Sequence, residues 1–398
     1  MNPLQIDVPK GPIAANPWVG YEQLNYAIKV VTPILGGGAL ANKCEECFAV
    51  RPSEIRGHLR FWWRKLFAKN LDGDALRSAE TAVWGDSKNA SNVCIVVEGA
   101  PFKLNPMPNT NTINGPRGPV RHCFGYKSSF RDDNKDLGPL YAMFSVTNEK
   151  KDVYITNTDQ DFFLNVFVKP EYLEQVKMSI AAWGYLGGIG SRTRRGLGSL
   201  SFVSGNAITL DEVLKQCGIF AIFGQKMSSP VESWKEALCL YKNFRQCRRV
   251  LKEDGRTMPK RSFWTEAESC RKATKQRLPK HEPLGNDLDG KGAVGDDFCS
   301  PRAALGMPIL IQFKDQNSNK NDVSPEMDPV TVTISVEGDE ARMGSPVIIK
   351  PLLREGSWCP SFIFLCDSAK DALGDKLDKV VSSTAKKRAL LAIMVVDI

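Results

Sequence analysis

The chain has 398 residues, 42% of them apolar and 25% charged, which suits a folded protein of two to three domains and excludes collagen-like or disordered classes. Its formal net charge of +8 is a moderate basic excess that admits a polyanionic partner without requiring one. No apolar stretch is long enough to span a membrane, no signal-peptide pattern opens the chain, and the 11 irregularly spaced cysteines fit reduced thiols in cytoplasm rather than a disulfide framework.

In chain order, residues 22–34 read as a strand, with Gly36, Gly37 and Gly38 as its exit. A helix is expected over about 53–69, with Ser53 as its N-cap and Glu54 in the first turn. A strand follows at 93–98, then a Pro/Asn/Gly-rich loop at 101–119 of the length that is often functional. Residues 162–168 form the next strand, Pro170 opens a helix that ends near Leu186, and 199–203 give a closing strand. The order β-α-β-(loop)-β-α-β is the split βαβ pattern shared by ferredoxin-like domains and the RRM. Beyond it, a helix is expected at 231–252, and strands at 308–314, 329–336, 346–350 and 361–366. Residues 282–299 and 315–328 read as loops. The expected architecture is α+β: two ferredoxin-like (RRM-like, βαββαβ) domains with long loop insertions, residues 1–205 and 206–398.

Two constellations carry chemistry. The first is the helix SEIRGHLRFWWRKLF, residues 53–67. At about 100° per residue, Ile55, Leu59, Trp62, Trp63 and Leu66 form one apolar arc. Arg56, Arg60 and Arg64 form a row beside it, with no acid within four positions of Arg60 or Arg64. Such a row suits phosphate contact, although charge on an exposed helix face is ordinary. Gly57, in mid-helix, signals the close approach of another backbone.

The second constellation is GGIGSRTRRGLGSL, residues 187–200. Gly187, Gly188, Gly190, Gly196 and Gly198 free the main chain to approach a ligand and to form an anion-binding nest. Ser191, Arg192, Thr193, Arg194 and Arg195 supply donors. The motif is neither a Walker A loop nor a dinucleotide fingerprint, because the glycines follow a helix and precede a strand. The row and the loop are expected to converge into one cradle for a ribose-phosphate strand.

Residues 242–280 hold 13 Lys and Arg against four Asp and Glu. Phe263 and Trp264 inside that stretch are candidates for stacking on bases, and a solvated basic helix face is an equal reading. Cys44 and Cys47 form a lone CxxC with no second ligand pair, so no metal is expected. No cofactor motif occurs. His58 lies about 160° from Arg60 and about 120° from Arg64 around the helix.

These pieces resemble the RAMP superfamily of CRISPR proteins, through the glycine-rich stretch 184–200 and the helix IRGHLRFWWR at 55–64. That helix, with SPRAALGMPI at 300–309 and RMGSPVIIKPL at 342–352, is similar to the first-named subunit family of type III-B (Cmr) effector complexes. The resemblance implies a non-catalytic RNA-binding subunit in antiviral defence, capping the complex near the 3′ portion of the guide. Its partners would be guide RNA (crRNA), target RNA and other Cmr/RAMP subunits. Arg56, Arg60, Trp63, Arg64 and the loop residues 187–198 would make the RNA contacts. Two alternatives stand beside it. One is a metal-independent endoribonuclease that processes guide precursors with His58, aided by Lys65. The other is a protein-assembly adaptor whose arginines meet acidic partners.

Overall fold

The computed structural model describes residues 18–36, 50–106, 113–115, 118–123, 126–128, 142–143, 154–156, 158, 160–246, 248–253, 256–262, 264, 266–276, 301–306, 309–313, 328, 331–334 and 344–365. Cys44, Cys47, Phe263 and the loop 282–299 lie outside these residues.

The first half is built on β1 (Glu22–Val30), α1 (Pro52–Phe67), α2 (Gly73–Trp84), β2 (Val93–Glu98), an insertion, β8 (Gln160–Val168), α3 (Leu173–Leu186) and β9 (Leu200–Ser204). The insertion carries β3 (Leu104–Pro106), β4 (Ile113–Gly115), β5 (Gly118–Cys123), β6 (Tyr126–Ser128) and β7 (Tyr154–Thr156). The main sheet has the order β2-β8-β1-β9, with every pair antiparallel. That order interleaves two βα units, as the split βαβ pattern requires.

Alternation along the strands sets which face is covered. Tyr26, Ile28 and Val30 of β1 and Phe162, Leu164, Val166 and Val168 of β8 are buried. α1 covers them with Ile55, Leu59, Trp62, Trp63 and Leu66, and α3 with Val176, Ile180, Trp183 and Leu186. Each fully buried large side chain of this kind contributes about 1.5–3 kcal/mol relative to exposure.

Three local expectations differ from the structure. α1 starts at Pro52 and its N-cap is Arg51, with no side-chain cap. Ser53 therefore lies inside the first turn, and Pro52 brings the fixed φ that a first helical position favours. α2 was not expected, because in GDALRSAETAVW only Glu80, Val83 and Trp84 are buried, too short an apolar stripe to register as periodic. The stretch 101–119 is not wholly a loop: β3 pairs with β7, and β4 pairs with β5 in a small sheet β4-β5-β6.

The second half contains α4 (Leu210–Cys217), β10 (Phe220–Phe223), α5 (Pro230–Gln246), β11 (Arg248–Glu253), β12 (Arg256–Ser262), α6 (Glu266–Thr274), β13 (Ile309–Gln312), β14 (Thr331–Ile334), β15 (Val347–Arg354) and β16 (Ser357–Phe364). α4 opens with a reciprocal capping box between Thr209 and Glu212. The helix expected over 231–252 ends at Gln246, and its last residues instead form β11, which pairs antiparallel with β12. A three-stranded sheet runs β10-β16-β15, and β13 pairs with β14 apart from it. Among the described residues this half is a mixed α/β unit of antiparallel sheets, without a second complete βαββαβ unit.

The apolar interior crosses from one half to the other. Ile348, Leu352, Ile363 and Leu365 belong to the cluster under the first sheet. Leu35 and Leu197 belong to the cluster around Trp234, Tyr241 and Phe364. No described helix is long and apolar enough to cross a membrane.

Candidate nucleic-acid interface

The glycine-rich loop sits where the two halves meet. On one side it is bonded to the residues that follow β1. Gly198 N–H donates to Pro33 O at 2.8 Å and Ser191 N–H to Leu35 O at 2.6 Å. Thr32 Oγ1 donates to Gly196 O at 2.6 Å, and Ser199 N–H donates to Thr32 Oγ1 at 2.7 Å. On the other side it meets β15 and its approach. Arg194 donates to Ser345 O at 2.5 Å. Arg195 donates to Val347 O at 3.3 Å and lies 4.6 Å from the Tyr241 ring centroid. Lys350 Nζ donates to Gly187 O at 2.8 Å, and Trp234 Nε1 donates to Arg195 O at 2.7 Å. Arg192 donates to Ala142 O at 2.9 Å.

The close approach that the glycines permit is therefore to the protein's own backbone. A Cβ on Gly190 would lie 2.8 Å from Leu35 O, on Gly198 2.0 Å from Ile189 O, on Gly188 2.8 Å from Gly198 O, and on Gly196 2.6 Å from Ile349 O. A Cβ on Gly187 would lie 2.7 Å from both Trp183 O and the Trp183 ring, and 3.0 Å from Trp62 Nε1. Gly190, Gly196 and Gly198 also have positive φ, which L side chains disfavour. Burial, then the neighbouring Arg195 charge, lowers the pKa of Arg192 and Arg194. Burial alone lowers that of Lys350 to about 7. The expectation that this loop cradles a ligand with its main chain is corrected here: tight intramolecular packing uses that freedom.

α1 presents two different flanks. Glu54 and His58 face the loop: Glu54 Oε1 accepts from Gly190 N–H at 2.7 Å, and His58 Nε2 lies 3.8 Å from the same oxygen. The His58 ring lies roughly parallel to Trp183, with centroids 6.5 Å apart. The arginine row faces the other way. Arg56 donates to Val93 O at 3.3 Å. Arg60 Nε and Arg64 Nε donate to one carboxylate oxygen of Glu80 on α2, at 2.7 and 3.0 Å, and Arg64 Nη2 reaches the other at 2.5 Å. Burial pushes the Glu80 carboxyl up, but the hydrogen bonds and charges of both guanidiniums outweigh it and hold its pKa below the ordinary value. The row and the loop do not form one cradle, because the buried body of α1 separates them.

Trp63 is also corrected. It is 3% exposed and donates its Nε1–H to Gln175 Oε1 at 2.8 Å, so it packs the core and offers no stacking face. Glu80 was missed by sequence reasoning, since it lies 16 positions from Arg64 on a helix of weak periodicity. In the basic second-half stretch, Trp264 donates to Phe244 O at 3.0 Å and packs edge-on against the Phe244 ring at 5.3 Å. The described residues hold no cluster of side chains suited to a metal ion.

A family model described as the RAMP superfamily matches residues 27–201. The first half of this chain is therefore similar to the RAMP superfamily. The RAMP match contains both constellations, the arginine helix and the glycine loop. Solved structures similar to the chain include apo Cmr1 from Pyrococcus furiosus, at 17% identity over 86% of this chain and 87% of that one, with a TM-score of 0.39. A chain from the cryo-EM structure of type III-B Cmr-beta bound to cognate target RNA and AMPPnP, in the presence of ssDNA, is 15% identical over 94% of this chain and 99% of its own, with a TM-score of 0.39. Cmr6 from Pyrococcus furiosus is 12% identical over 46% of this chain and 99% of its own, with a TM-score of 0.25. These TM-scores are too low to establish a common overall fold. No curated protein matches the chain.

Proposed function

We propose that this chain is a non-catalytic RNA-binding subunit of a type III-B (Cmr) CRISPR effector complex, capping it near the 3′ portion of the guide and holding guide and target RNA. Two ferredoxin-like units belong to this reading, since β10, β16 and β15 lie in the relative order of the first, third and second strands of that pattern. The observation that carries the RNA contact is the pair Arg60 and Arg64. Both remain 36% and 49% exposed, and they share one carboxylate, Glu80, so one positive charge is left over at the surface. Guanidinium groups in that state are suited to phosphate. Titrating fluorescent single-stranded RNA at several salt concentrations tests the reading. Affinity should fall steeply with salt as phosphate contacts release counterions, and Arg60→Ala with Arg64→Ala should weaken binding about tenfold and flatten the slope. A wild-type chain that binds no RNA at low salt would sink the proposal.

The structure also favours one second reading. His58 and Glu54 flank the glycine loop, and Lys65, seven positions beyond His58, falls on the same side of α1 at about 100° per residue. A metal-independent endoribonuclease would use His58 to move a proton between the 2′-hydroxyl and the leaving oxygen. Cleavage of repeat RNA in EDTA, lost in His58→Ala, would support it, and intact RNA after long incubation would exclude it.

A further inference from the structure

We propose that the solvent face of α1 centred on Gly57 is a contact surface for a single RNA strand, with Phe61 as a stacking platform for one unpaired base. The inference rests on the RNA-binding reading and deepens it.

Glycine in the middle of a helix is unfavourable relative to alanine, because the unfolded chain has more freedom to lose. Elsewhere in the first half of the chain, a mid-helix glycine has an internal reason. A Cβ on Gly184, inside α3, would meet the Phe202 ring at 2.2 Å. Gly57 has no such reason: a Cβ there would meet nothing within 4 Å. Among the described residues, the backbone approach that sequence reasoning expected is absent, and Gly57 is exposed.

What surrounds Gly57 has the chemistry of a polyanion contact. Positions 57, 60, 61 and 64 lie at the i, i+3, i+4 and i+7 spacing that puts side chains on one helix face. Phe61 is exposed, and its ring is braced edge-on by Trp62 with centroids 5.2 Å apart. Arg60 and Arg64 border it, with Glu80 as their one shared carboxylate. On α2, Arg77 is 80% exposed and only loosely paired with Asp74, at 3.7 Å. The face therefore combines a gap at the helix surface, a fixed aromatic ring and a surplus of guanidinium charge. A phosphodiester strand can lie against Gly57 while a base stacks on Phe61. An apolar protein helix would leave the guanidiniums desolvated, and an acidic one would have no use for the gap.

The test uses the full chain and a fluorescent mixed-sequence single-stranded RNA, with the same RNA as a duplex for comparison. Gly57→Ala should raise Tm by about 2–4 °C and weaken single-strand binding several-fold, so stability and affinity move in opposite directions. Gly57→Gln should weaken it about tenfold. Phe61→Ala should weaken single-strand binding about tenfold and leave duplex binding unchanged, because paired bases cannot stack on it. If Tm rises and RNA affinity stays at the wild-type value in all three variants while the chain still binds RNA, this face is not the contact surface and the inference is overturned, although the RNA-binding reading survives. Unchanged RNA affinity with lost association to a partner subunit also overturns it, and assigns the face to protein docking.

Discussion

Two arginine-rich regions of similar composition have opposite fates in this molecule. Arg192, Arg194 and Arg195 of the glycine loop each donate to main-chain carbonyls of other segments. Arg60 and Arg64 of α1 meet one carboxylate and keep much of their surface in water. The comparison teaches that local arginine density does not identify a phosphate site. What separates the two regions is whether the chain supplies enough acceptors of its own.

The loop should fail first and hardest. Arg194→Ala with Arg195→Ala removes bonds to Ser345 and Val347 and the cation over Tyr241. Each partly buried acceptor left unpaired costs about 1–3 kcal/mol, so thermal unfolding should show a Tm lower by several degrees. If the double variant keeps its Tm and instead loses RNA, the assignment of these arginines to the interior is wrong and the two regions are alike after all.

Lys350 sharpens the same contrast through pH. Its amine is buried and its pKa sits at about 7 in the folded protein, against about 10.4 in an unfolded chain. The unfolded state therefore binds more protons between those values, and stability from this residue rises as pH climbs from about 7 to about 10. The full difference is on the order of a few kcal/mol. Tm measured over that range should climb more in the wild type than in Lys350→Met, and parallel curves would show that the amine does not titrate there.

The smallest effect in stability falls on the α1 side. Glu80→Gln removes the charge that Arg60 and Arg64 share, at about 1 kcal/mol, because both guanidiniums are open to solvent screening. RNA affinity at low salt should rise several-fold as the surplus charge grows. A loss of affinity instead would mean that Glu80 positions the arginines for their partner.

Much of the first half was legible in the residues. The strand readings at 22–34 and 162–168 anticipated β1 and β8, and the apolar arc from Ile55 to Leu66 anticipated the buried face of α1, because burial imposes the period of a helix. α2 was not, since its contribution to the core is confined to one end. The end of α5 was not either, since 231–252 keeps a helical pattern past Gln246 and only pairing with 256–262 diverts it.

For the candidate site, the sequence by itself determined the donors: glycines that can take positive φ, and guanidiniums grouped on one helix and one loop. Only the tertiary structure decided what they face. Glu80, Ser345, Val347 and Leu35 come from distant segments, and the spacing within a motif carries no information about which acceptors the rest of the chain will bring against it. Hydrogen bonds and charges act over a few ångströms, whatever the distance along the chain, so the loop became an internal clamp and the helix kept a face for solvent.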